Sequence, residues 1–547
     1  MPGAGFRRNG HTISVGGPLG ARCALSDPAG RRRTDLPQSV KRVIGGIGGW
    51  ICLVPVRSKC VRREHAPLVH VWSFSVRTRN AIVVGSGPNG LSAAVTLAQA
   101  GLRVTVFEAA DSPGGGARSG EVTLPGLVHD LCSAVHPFAA ASPFLSSLPL
   151  EEFGLKWRFA KLDAAHPLDD GSAALLYRSI AATAAALGPD GPRWRSLFEP
   201  LAVRADDLVG DVLGPILRMP SHPLMMLRFG LRAAWPATTL GRYFRHEPAR
   251  ALFAGCAAHI FRPLNRVATS SVGTMMITAG HRYGWPVAEG GSSAITNALA
   301  GLLESLGGVV VTGTRVSRLS DLPSHDIAIF DVGPAAFADI AGGKLAPRRS
   351  RAYRRFRYGA AAFKLDLAVR GGIPWSAEHV GQAGTVHLGG SAAEIAAAER
   401  LVGRGIMPER PFVLVAQQHV ADPGRAVGDI CPVYAYAHVP HGHREDATAA
   451  IVGQIERFAP GFTGRILRVH ASSPGDFERG NPNYVGGDIV GGSNTLRGLV
   501  GRPVIARDNY ATSIPGVYLC SSSTPPGAGT HGMCGHLAAR SALAHLR

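Results

Sequence analysis

The stretch AIVVGSGPNGLSAAVTLAQAGLRVTVFEA, residues 81–109, limits the possible folds more than any other part of the chain. Ala81–Val84 is a short apolar run, which is typical of a buried parallel strand. Gly85–Gly90 fits the pattern GxGxxG, the Ala-rich Leu91–Ala100 has a helical composition, and Leu102–Phe107 is strand-like again. The stretch therefore predicts a strand, a Gly-rich loop, a helix and a second strand, which together open a dinucleotide-binding domain.

Each part of this unit has a task in binding a dinucleotide. Gly85 permits the tight turn, Gly87 lets the backbone approach a pyrophosphate, and Gly90 lets the helix and strand pack closely. The Pro88–Asn89 pair stands at the helix N-terminus, which faces the anion. Glu108 ends the second strand, 18 residues after Gly90, where its carboxylate can accept hydrogen bonds from ribose hydroxyls. An acid at this position disfavours a 2′-phosphate.

A second Gly-rich turn, DSPGGGARSG at residues 111–120, follows almost at once. A simple NAD-binding domain usually continues to its next strand here. The backbone amides around Gly115 and Gly116 and the guanidinium of Arg118 would instead reach the same pyrophosphate or a further part of a longer cofactor. The second turn therefore favours FAD, with NAD as the alternative cofactor.

The basic charge of the chain is concentrated at its N-terminus. Of the total formal charge of +19, residues 1–79 carry +11, from 14 Lys and Arg against three acids, which leaves +8 for the rest. Neither zinc-finger spacing nor an aromatic–basic strand pattern is visible. We therefore expect no nucleic-acid partner.

Residues 1–79 show no sustained helix or strand periodicity. Their apolar run, Val43–Val56, has 14 residues and is Gly-rich, which is short for a membrane span. We interpret the segment as a disordered extension, or as sequence that precedes a true start near Val76. Its Arg-rich, acid-poor composition also fits a mitochondrial or other organelle transit peptide, which is the alternative. We expect a cytoplasmic protein, and peripheral membrane contact is compatible with that expectation.

The eight cysteines are scattered and contain no CxxC pair. A disulfide framework, a structural zinc site and a dithiol redox centre are therefore not expected, so redox chemistry must come from a cofactor. His438, His441 and His443 have HxxHxH spacing, but they stand in a Pro- and Gly-containing stretch. We interpret them as solvated loop residues and predict no metal site.

The two Gly-rich turns and the acid between them resemble the FAD-binding entry of the phytoene desaturase-like flavoproteins, a branch of the amine-oxidase and glutathione-reductase-type FAD superfamily. Two distant segments agree with the resemblance, Gly284–Leu319 and Ile514–Leu543, and it spans about residues 80–547. Within the group, NPNYVGGDIVGG and HGMCGHLAAR are most similar to the subgroup named pyridine nucleotide-disulfide oxidoreductase domain-containing protein 2. No CxxC is present to act as the disulfide centre of that name.

The resemblance implies an α/β fold with a Rossmann-type FAD-binding domain of the glutathione reductase/amine oxidase type, plus a mixed-sheet substrate domain with a helical cap. The expected boundaries are 1–79 for the N-terminal extension, 80–145, 282–345 and 480–547 for a discontinuous FAD-binding domain, and 146–281 and 346–479 for the substrate domain.

The resemblance also implies which residues hold the cofactor. Val316 would meet the adenine end, and the hydroxyl of Ser522 would hold the ribityl chain. The last helix would point its N-terminus at the flavin pyrimidine ring, where its dipole stabilises negative charge on a reduced flavin. The full set of expected cofactor-binding residues is Gly85, Gly87, Pro88, Asn89, Gly90, Glu108, Gly115, Gly116, Arg118, Val316, Ser522, Gly529, His531, Gly532 and Met533.

The implied function is that of an FAD-dependent oxidoreductase. It would transfer a hydride between the flavin and a C–H bond of an apolar substrate of polyene or isoprenoid type, with oxygen or a quinone as electron acceptor. His531 and Lys364 are candidate catalytic residues, because the first lies near the expected flavin and the second interrupts an apolar strand. The alternatives are a flavin amine oxidase, against which the 7% of aromatic residues without a visible cage argues, and a non-catalytic flavin-binding interaction protein.

The middle of the chain, about residues 145–280, contains amphipathic helix-like stretches. We expect a helical cap that packs on itself. The alternative is an apolar tunnel or membrane-contacting surface, with arginines on lipid headgroups. The residues concerned are Leu224, Met225, Met226, Phe229, Leu231 and Trp235, with Arg228, Arg232 and Arg242.

Overall fold

The computed structural model describes residues 79–214 and 219–546. The predictions about start and targeting concern residues 1–78, which lie outside that range. The strands, in chain order, are β1 Asn80–Val84, β2 Arg103–Phe107, β3 Ser119–Gly120, β4 His129–Asp130, β5 Trp157–Arg158, β6 Leu162–Pro167, β7 Ala173–Leu176, β8 Val287–Ala288, β9 Val309–Val311, β10 Ile327–Phe330, β11 Ala361–Arg370, β12 Ala383–Leu388, β13 Val413–Ala416, β14 Ile430–Val439, β15 Ile466–Ser472 and β16 Val517–Leu519.

The first large sheet is parallel and has five strands in the order β16-β10-β1-β2-β9. Its central strands read AIVV and IAIF and are buried throughout, as expected for strands covered on both faces. Register pairs Val84 with both Phe107 and Phe330, so the ends of β1, β2 and β10 meet at one edge. That edge carries the first Gly-rich loop.

The second large sheet is mixed and has seven strands in the order β15-β11-β14-β13-β12-β6-β7, with β12 and β6 parallel and the other pairs antiparallel. One face is wholly apolar and packs with Ile451, Ile455 and Phe458 of a covering helix. The alternate positions of the same strands include Thr385, His387 and other polar or aromatic residues. Because side chains alternate across a strand, these residues share the opposite face.

The helices surround both sheets, and those between Ile180 and Tyr283 form the cap. In chain order they are α1 Pro88–Gln99, α2 Pro137–Ala140, α3 Ile180–Ala186, α4 Gly191–Ala202, α5 Ala205–Val212, α6 Pro223–Ala233, α7 Ala237–Gly241, α8 Glu247–Ala258, α9 Ser270–Tyr283, α10 Ser293–Ser305, α11 Pro334–Ala341, α12 Pro347–Arg354, α13 Ala392–Val402, α14 Gln418–Ala421, α15 Thr448–Phe458, α16 Pro474–Gly480, α17 Leu496–Val500 and α18 Met533–His545.

The predicted α/β architecture, with a parallel sheet, a mixed sheet and a helical cap, is confirmed. Helix α1 begins at Pro88, three residues before the predicted start, because proline fits the first turn of a helix. All strands of the parallel sheet come from the three segments assigned to the FAD-binding domain. The division of the chain into two domains at those boundaries stays a prediction.

Candidate cofactor-binding cavity

A cavity of about 630 Å³ runs from the first Gly-rich loop to the polar face of the mixed sheet. Its volume lies within the usual range of small-molecule sites, about 300–1,000 Å³. Both Gly-rich turns line it, as do the loop before the last helix and strands β12, β13 and β14. One continuous space therefore joins the predicted dinucleotide site to the polar face of the mixed sheet.

The two Gly-rich turns touch each other at one wall of this cavity. Gly85 has φ +98°, and its N–H donates to the Phe107 carbonyl at 2.8 Å, which holds the turn against β2. A Cβ on Gly115 would lie 2.9 Å from the Cα of Gly87, and a Cβ on Gly87 would lie 2.8 Å from an oxygen of Asp331. The glycines therefore leave a backbone-lined hollow that side chains would fill.

Asp331 lies beneath this hollow. No local sequence pattern predicts that Asp331 would be next to the first Gly-rich loop. It follows β10, and its Oδ2 accepts the N–H of Gly90 at 2.9 Å. Burial raises the pKa of the Asp331 carboxyl to about 7, and the nearby charge of Glu108 contributes. The floor of the loop thus carries a carboxyl that titrates near neutral pH.

Glu108 lines the cavity, and its carboxylate is already oriented by the protein. Its Oε2 accepts the N–H and the hydroxyl of Ser86 at 2.8 and 2.6 Å, and its Oε1 accepts the N–H of Ala110 at 2.9 Å. Asn89 also lines the cavity, and its buried Oδ1 has no partner in the described part of the chain. An unpaired buried acceptor beside the Gly-rich loop fits a ligand that brings hydrogen-bond donors.

Four further predicted residues, Gly116, Arg118, Val316 and Ser522, lie in the cavity wall. The guanidinium of Arg118 donates to the carbonyls of Gly480 at 2.6 Å and Gly115 at 3.1 Å. These bonds tie the second Gly-rich turn to the C-terminal end of α16. Arg118 therefore shapes the wall through backbone contacts as well as through its charge.

The loop before α18 supplies the opposite wall through Gly529 and Thr530. His531 is buried behind it, where its Nδ1 accepts the N–H of Met533 at 3.0 Å and its Nε2 has no partner in the described residues. Burial lowers the pKa of His531 to about 4, so the ring is neutral at pH 7. Gly532 caps the helix with φ +68°.

Gly90, His531, Gly532 and Met533 are not among the lining residues and instead support the wall from behind. Lys364 is also set back from the cavity. Its ammonium is ion-paired with Asp366 and lies 4.6 Å from the centre of the Tyr434 ring. Lys364 therefore contacts Tyr434, which lines the cavity, but does not line the cavity itself.

The half of the cavity beyond Cys132 is mostly apolar and aromatic, and the sequence analysis missed it. The residues that line it include Phe138, His259, Phe261, Val272, Met276, Trp285, Thr385, Leu414, Ala416, Tyr434, Tyr436, Ile489 and Val490. The alternation of Tyr434, Tyr436 and His438 in ICPVYAYAHV was a usable signal, because residues at i, i+2 and i+4 of a strand share one face. The facing strands could not be found by local pattern.

Arg502 is a second missed wall residue, and it is buried at 2% exposure. Its guanidinium donates to the Ser522 carbonyl at 3.1 Å and to the Asn494 side-chain oxygen at 2.6 Å. Burial lowers the pKa of Arg502, although guanidinium groups remain charged at neutral pH. A fixed positive charge therefore stands beside Ser522.

The three histidines of the HxxHxH stretch do not form a loop cluster. His438 is buried on β14, where its Nδ1 lies 2.7 Å from Glu399, whereas His441 contacts the Gly359 carbonyl at 2.9 Å. The interpretation of His438 as a solvated loop residue is wrong, because the strand extends through Val439. In the described part of the chain no cluster of three or more potential ligands is arranged for a metal.

Comparisons with known proteins agree with this geometry. Residues 83–146 match the family model of the NAD(P)-binding Rossmann-like domain. The chain is 23% identical over 562 residues to pyridine nucleotide-disulfide oxidoreductase domain-containing protein 2 of Mus musculus, which covers 86% of this chain and 94% of the mouse protein. It is 23% identical over 527 residues to a phytoene desaturase (lycopene-forming) of Pseudescherichia vulneris, covering 85% of this chain and 99% of the bacterial one.

Among solved structures, putrescine oxidase bound to putrescine has a similar fold, with a TM-score of 0.55 and 19% identity over 85% of this chain and 98% of the oxidase. The expected resemblance is therefore confirmed. The chain is a distant homologue of oxidoreductases, among them a phytoene desaturase and pyridine nucleotide-disulfide oxidoreductase domain-containing protein 2, and its residues 83–146 match a Rossmann-like domain.

Proposed function

We propose that the protein binds FAD and transfers a hydride between the flavin and a C–H bond of an apolar substrate, with oxygen or a quinone as electron acceptor. The observation that carries the proposal is the single cavity that joins two Gly-rich turns to an apolar and aromatic chamber. A bound dinucleotide would not need the apolar chamber, which can therefore hold a second molecule, the substrate. FAD fits because its pyrophosphate matches the glycine hollow and its ribose hydroxyls can donate to Glu108 and Asn89.

When bound, FAD supplies the two-electron redox chemistry, which the protein's own side chains lack. The residues of the chain bind and orient the cofactor and the substrate. The Gly-rich turns hold the phosphates, and the buried guanidinium of Arg502, with the N-terminus of α18, offers positive potential at the cavity wall. The apolar chamber excludes water and holds the substrate carbon chain by contact alone.

An anaerobic reduction assay tests this function. FAD-loaded protein is mixed with acyclic polyenes and, in parallel, with aliphatic amines, and the oxidised flavin absorbance is followed. We expect bleaching by at least one polyene and recovery on admitting oxygen or a soluble quinone. Reduction by amines alone would contradict the proposed substrate class, and bound FAD that none of these compounds reduces would favour the non-catalytic alternative.

Amine oxidation is the second candidate, and one observation favours it. The rings of Tyr434 and Tyr436 stand perpendicular, 5.8 Å apart, in the cavity wall, which is an aromatic surface that attracts cations. Two observations oppose it. Lys364 already lies over the Tyr434 ring, and the only carboxylates among the described lining residues, Glu108 and Asp331, belong to the dinucleotide loop.

We also propose that the substrate arrives from a lipid surface that contacts helix α6. Leu224, Leu227 and Leu231 recur at i, i+3 and i+7 on this helix and are 73%, 58% and 61% exposed. Trp235, just beyond the helix, is 54% exposed, and Arg228 is exposed among the leucines, where it can reach anionic headgroups. No helix in the described ranges is long and apolar enough to cross a membrane.

The buried side of the same helix packs against an element that lines the cavity. Met225 and Phe229 pack in the core against helix α9, whose residues Val272 and Met276 line the chamber. An apolar molecule that leaves the lipid at α6 would therefore meet a wall of the chamber one helix away.

Vesicle sedimentation tests the lipid contact. The double variant Leu227→Glu/Leu231→Glu should lose at least about fivefold of its binding to anionic vesicles, because it places two carboxylates in the proposed contact. Ile406→Glu changes a residue that is 50% exposed elsewhere and should bind as the unmodified protein does. Equal binding by both variants, or no binding by the unmodified protein, would rule out this surface.

A further inference from the structure

The polar face of the mixed sheet forms one wall of the chamber. Register pairs Thr385 with Ala416 and Ala416 with Tyr434, and all three residues line the cavity. The hydroxyl of Tyr434 donates to the Cys132 carbonyl at 2.5 Å, next to the second Gly-rich turn, so Tyr434 marks the cofactor end. Thr385 stands two strands away, about 10 Å along the sheet, and marks the distal end.

Thr385 brings an unused hydroxyl to that distal end. The residue is 1% exposed, and its Oγ1 has no hydrogen-bond partner in the described part of the chain. Buried hydroxyls are nearly always paired, because leaving one unpaired in an apolar surrounding is unfavourable. A ligand group that accepts or donates a hydrogen bond would satisfy Thr385.

His259 lines the same end and contacts Trp285, with ring centres 6.1 Å apart. Its Nε2 lies 2.9 Å from the Nε2 of His387, so one ring donates to the other. Burial lowers the pKa of His259 to about 3, with a contribution from His438. Burial also lowers the pKa of His387 well below its usual range, so both rings are neutral at pH 7.

The tautomers of this pair decide what His259 offers to a ligand. The Nδ1 of His387 is buried and has no partner in the described residues, and an orphaned acceptor is tolerated better than an orphaned N–H. His387 therefore donates from Nε2, which leaves His259 as the acceptor there and protonated at Nδ1. The Nδ1–H of His259 makes no bond within the described chain and is available as a donor.

The charge around this end selects a neutral ligand group. The neighbouring lining residues Phe261, Val272, Met276 and Leu414 are apolar. The charged lining residues lie elsewhere in the cavity wall: after β2, β9 and β10, in the second Gly-rich turn, in α16 and beside Ser522. They are Glu108, Arg315, Asp331, Arg118, Arg479 and Arg502. A carboxylate or an ammonium would be buried at the distal end without a counter-ion, which is unfavourable.

We propose that Thr385 and His259 form a subsite for a hydroxyl or carbonyl oxygen at the distal end of an otherwise apolar substrate. The inference rests on the proposed function, since it refines the substrate class of the same cavity. Ala416 and the apolar residues around it hold the carbon chain, and the polar pair at the end fixes how far the chain enters. The subsite thereby determines which C–H bond lies at the cofactor end.

Binding of three matched probes tests the subsite: geraniol, the hydrocarbon myrcene with the same number of carbons, and geranic acid. Each is titrated by calorimetry into the purified protein as isolated, whose FAD content is measured in parallel. We expect geraniol to bind about tenfold more tightly than myrcene, the size of one well-made hydrogen bond. Geranic acid should bind more weakly than geraniol at pH 8, where it is ionised.

Two variants assign the preference to the named side chains. Thr385→Val keeps the shape of the side chain and removes its hydroxyl, so it should lose most of the preference for geraniol and leave myrcene affinity within about twofold. Thr385→Ser retains a hydroxyl and should keep the preference for geraniol. His259→Phe removes the other proposed hydrogen-bonding group and should independently reduce that preference.

Equal binding of geraniol and myrcene, tighter binding of geranic acid, or a preference that survives both removals would overturn the proposal. A protein that contains no FAD and takes none up would contradict the proposed function. In that case the probe comparison would still report on the subsite.

Discussion

Gly87 is the residue at which we expect the backbone to come closest to a bound pyrophosphate. Its φ of −66° suits any residue, so replacing it creates no backbone strain, but a Cβ would lie 2.8 Å from Asp331 Oδ2 and project into the glycine hollow. We predict that Gly87→Ala lowers FAD affinity at least about tenfold and leaves the protein folded. Fluorescence titration with FAD and thermal unfolding measure the two effects.

Gly453→Ala is the matched control for that variant. Gly453 lies in helix α15, and a Cβ there meets no atom within 4 Å. Alanine should leave FAD affinity unchanged and stabilise the helix by roughly 0.5–1 kcal/mol. Equal FAD affinity for the Gly87 and Gly453 variants would contradict the role assigned to the hollow.

We predict that Asp331 makes FAD binding depend on pH. Its folded-state pKa is raised to about 7, chiefly by burial, so the carboxyl is largely neutral below that pH and ionised above it. An ionised Asp331 repels the pyrophosphate, so binding takes up a proton, and FAD affinity should fall as pH rises from 6 to 8. Asp331→Asn keeps an acceptor for the Gly90 N–H and should remove this dependence. An unchanged pH profile in the variant would show that another group is responsible.

At the scale of elements, the first and last helices form a unit whose spacing depends on glycine. Helices α1 and α18 pack closely, and a Cβ on Gly535 would lie 1.8 Å from the Asn89 carbonyl oxygen. The clash is with backbone and cannot be relieved by a rotamer change. The spacing of these helices therefore sets the position of Asn89, and so of the first Gly-rich loop, relative to the loop before α18.

We predict that Gly535→Ala lowers the free energy of unfolding by about 1–3 kcal/mol and weakens FAD binding with it, because the shift reaches Asn89. Arg540→Ala, at an exposed position of the same helix, should change stability by less than about 0.5 kcal/mol. Chemical denaturation of the two variants checks this. A fully stable Gly535 variant would mean that the helices separate at little cost.

The elements predicted correctly from sequence are those whose signals are local. The spacing of Gly85, Gly87 and Gly90 between two apolar runs specifies strand, loop and helix within a few dozen residues. Asp331 meets the same loop only because β10 pairs with β1, a contact between residues far apart in the chain. No periodicity within a single segment predicts that pairing.

The apolar chamber also could not be predicted from sequence, because it depends on contacts between several strands that are far apart in the chain. Thr385, Ala416 and Tyr434 come from three strands that become neighbours only when the mixed sheet is assembled. The low aromatic content of the whole chain gave no sign of an aromatic wall. The fold nevertheless brings several of the chain's few aromatic residues together around the cavity. Composition describes the average of a chain, whereas a site depends on which residues the fold brings together.

In the molecule as a whole, one cavity joins the parallel sheet to the mixed sheet. The parallel sheet supplies backbone amides and charge, and the mixed sheet supplies apolar surface with one polar end. This arrangement makes sense for an oxidoreductase whose cofactor must reach a buried substrate. We propose FAD as that cofactor.

The most direct test of that claim is the absorbance spectrum of the purified protein, followed by heat release of any bound cofactor and identification of the released molecule by mass. We expect a flavin spectrum and released FAD, or stoichiometric uptake of added FAD if the cofactor is lost during purification. A colourless, folded protein that takes up no FAD would show that FAD is not the cofactor. The Gly85–Glu108 unit would then bind a different dinucleotide.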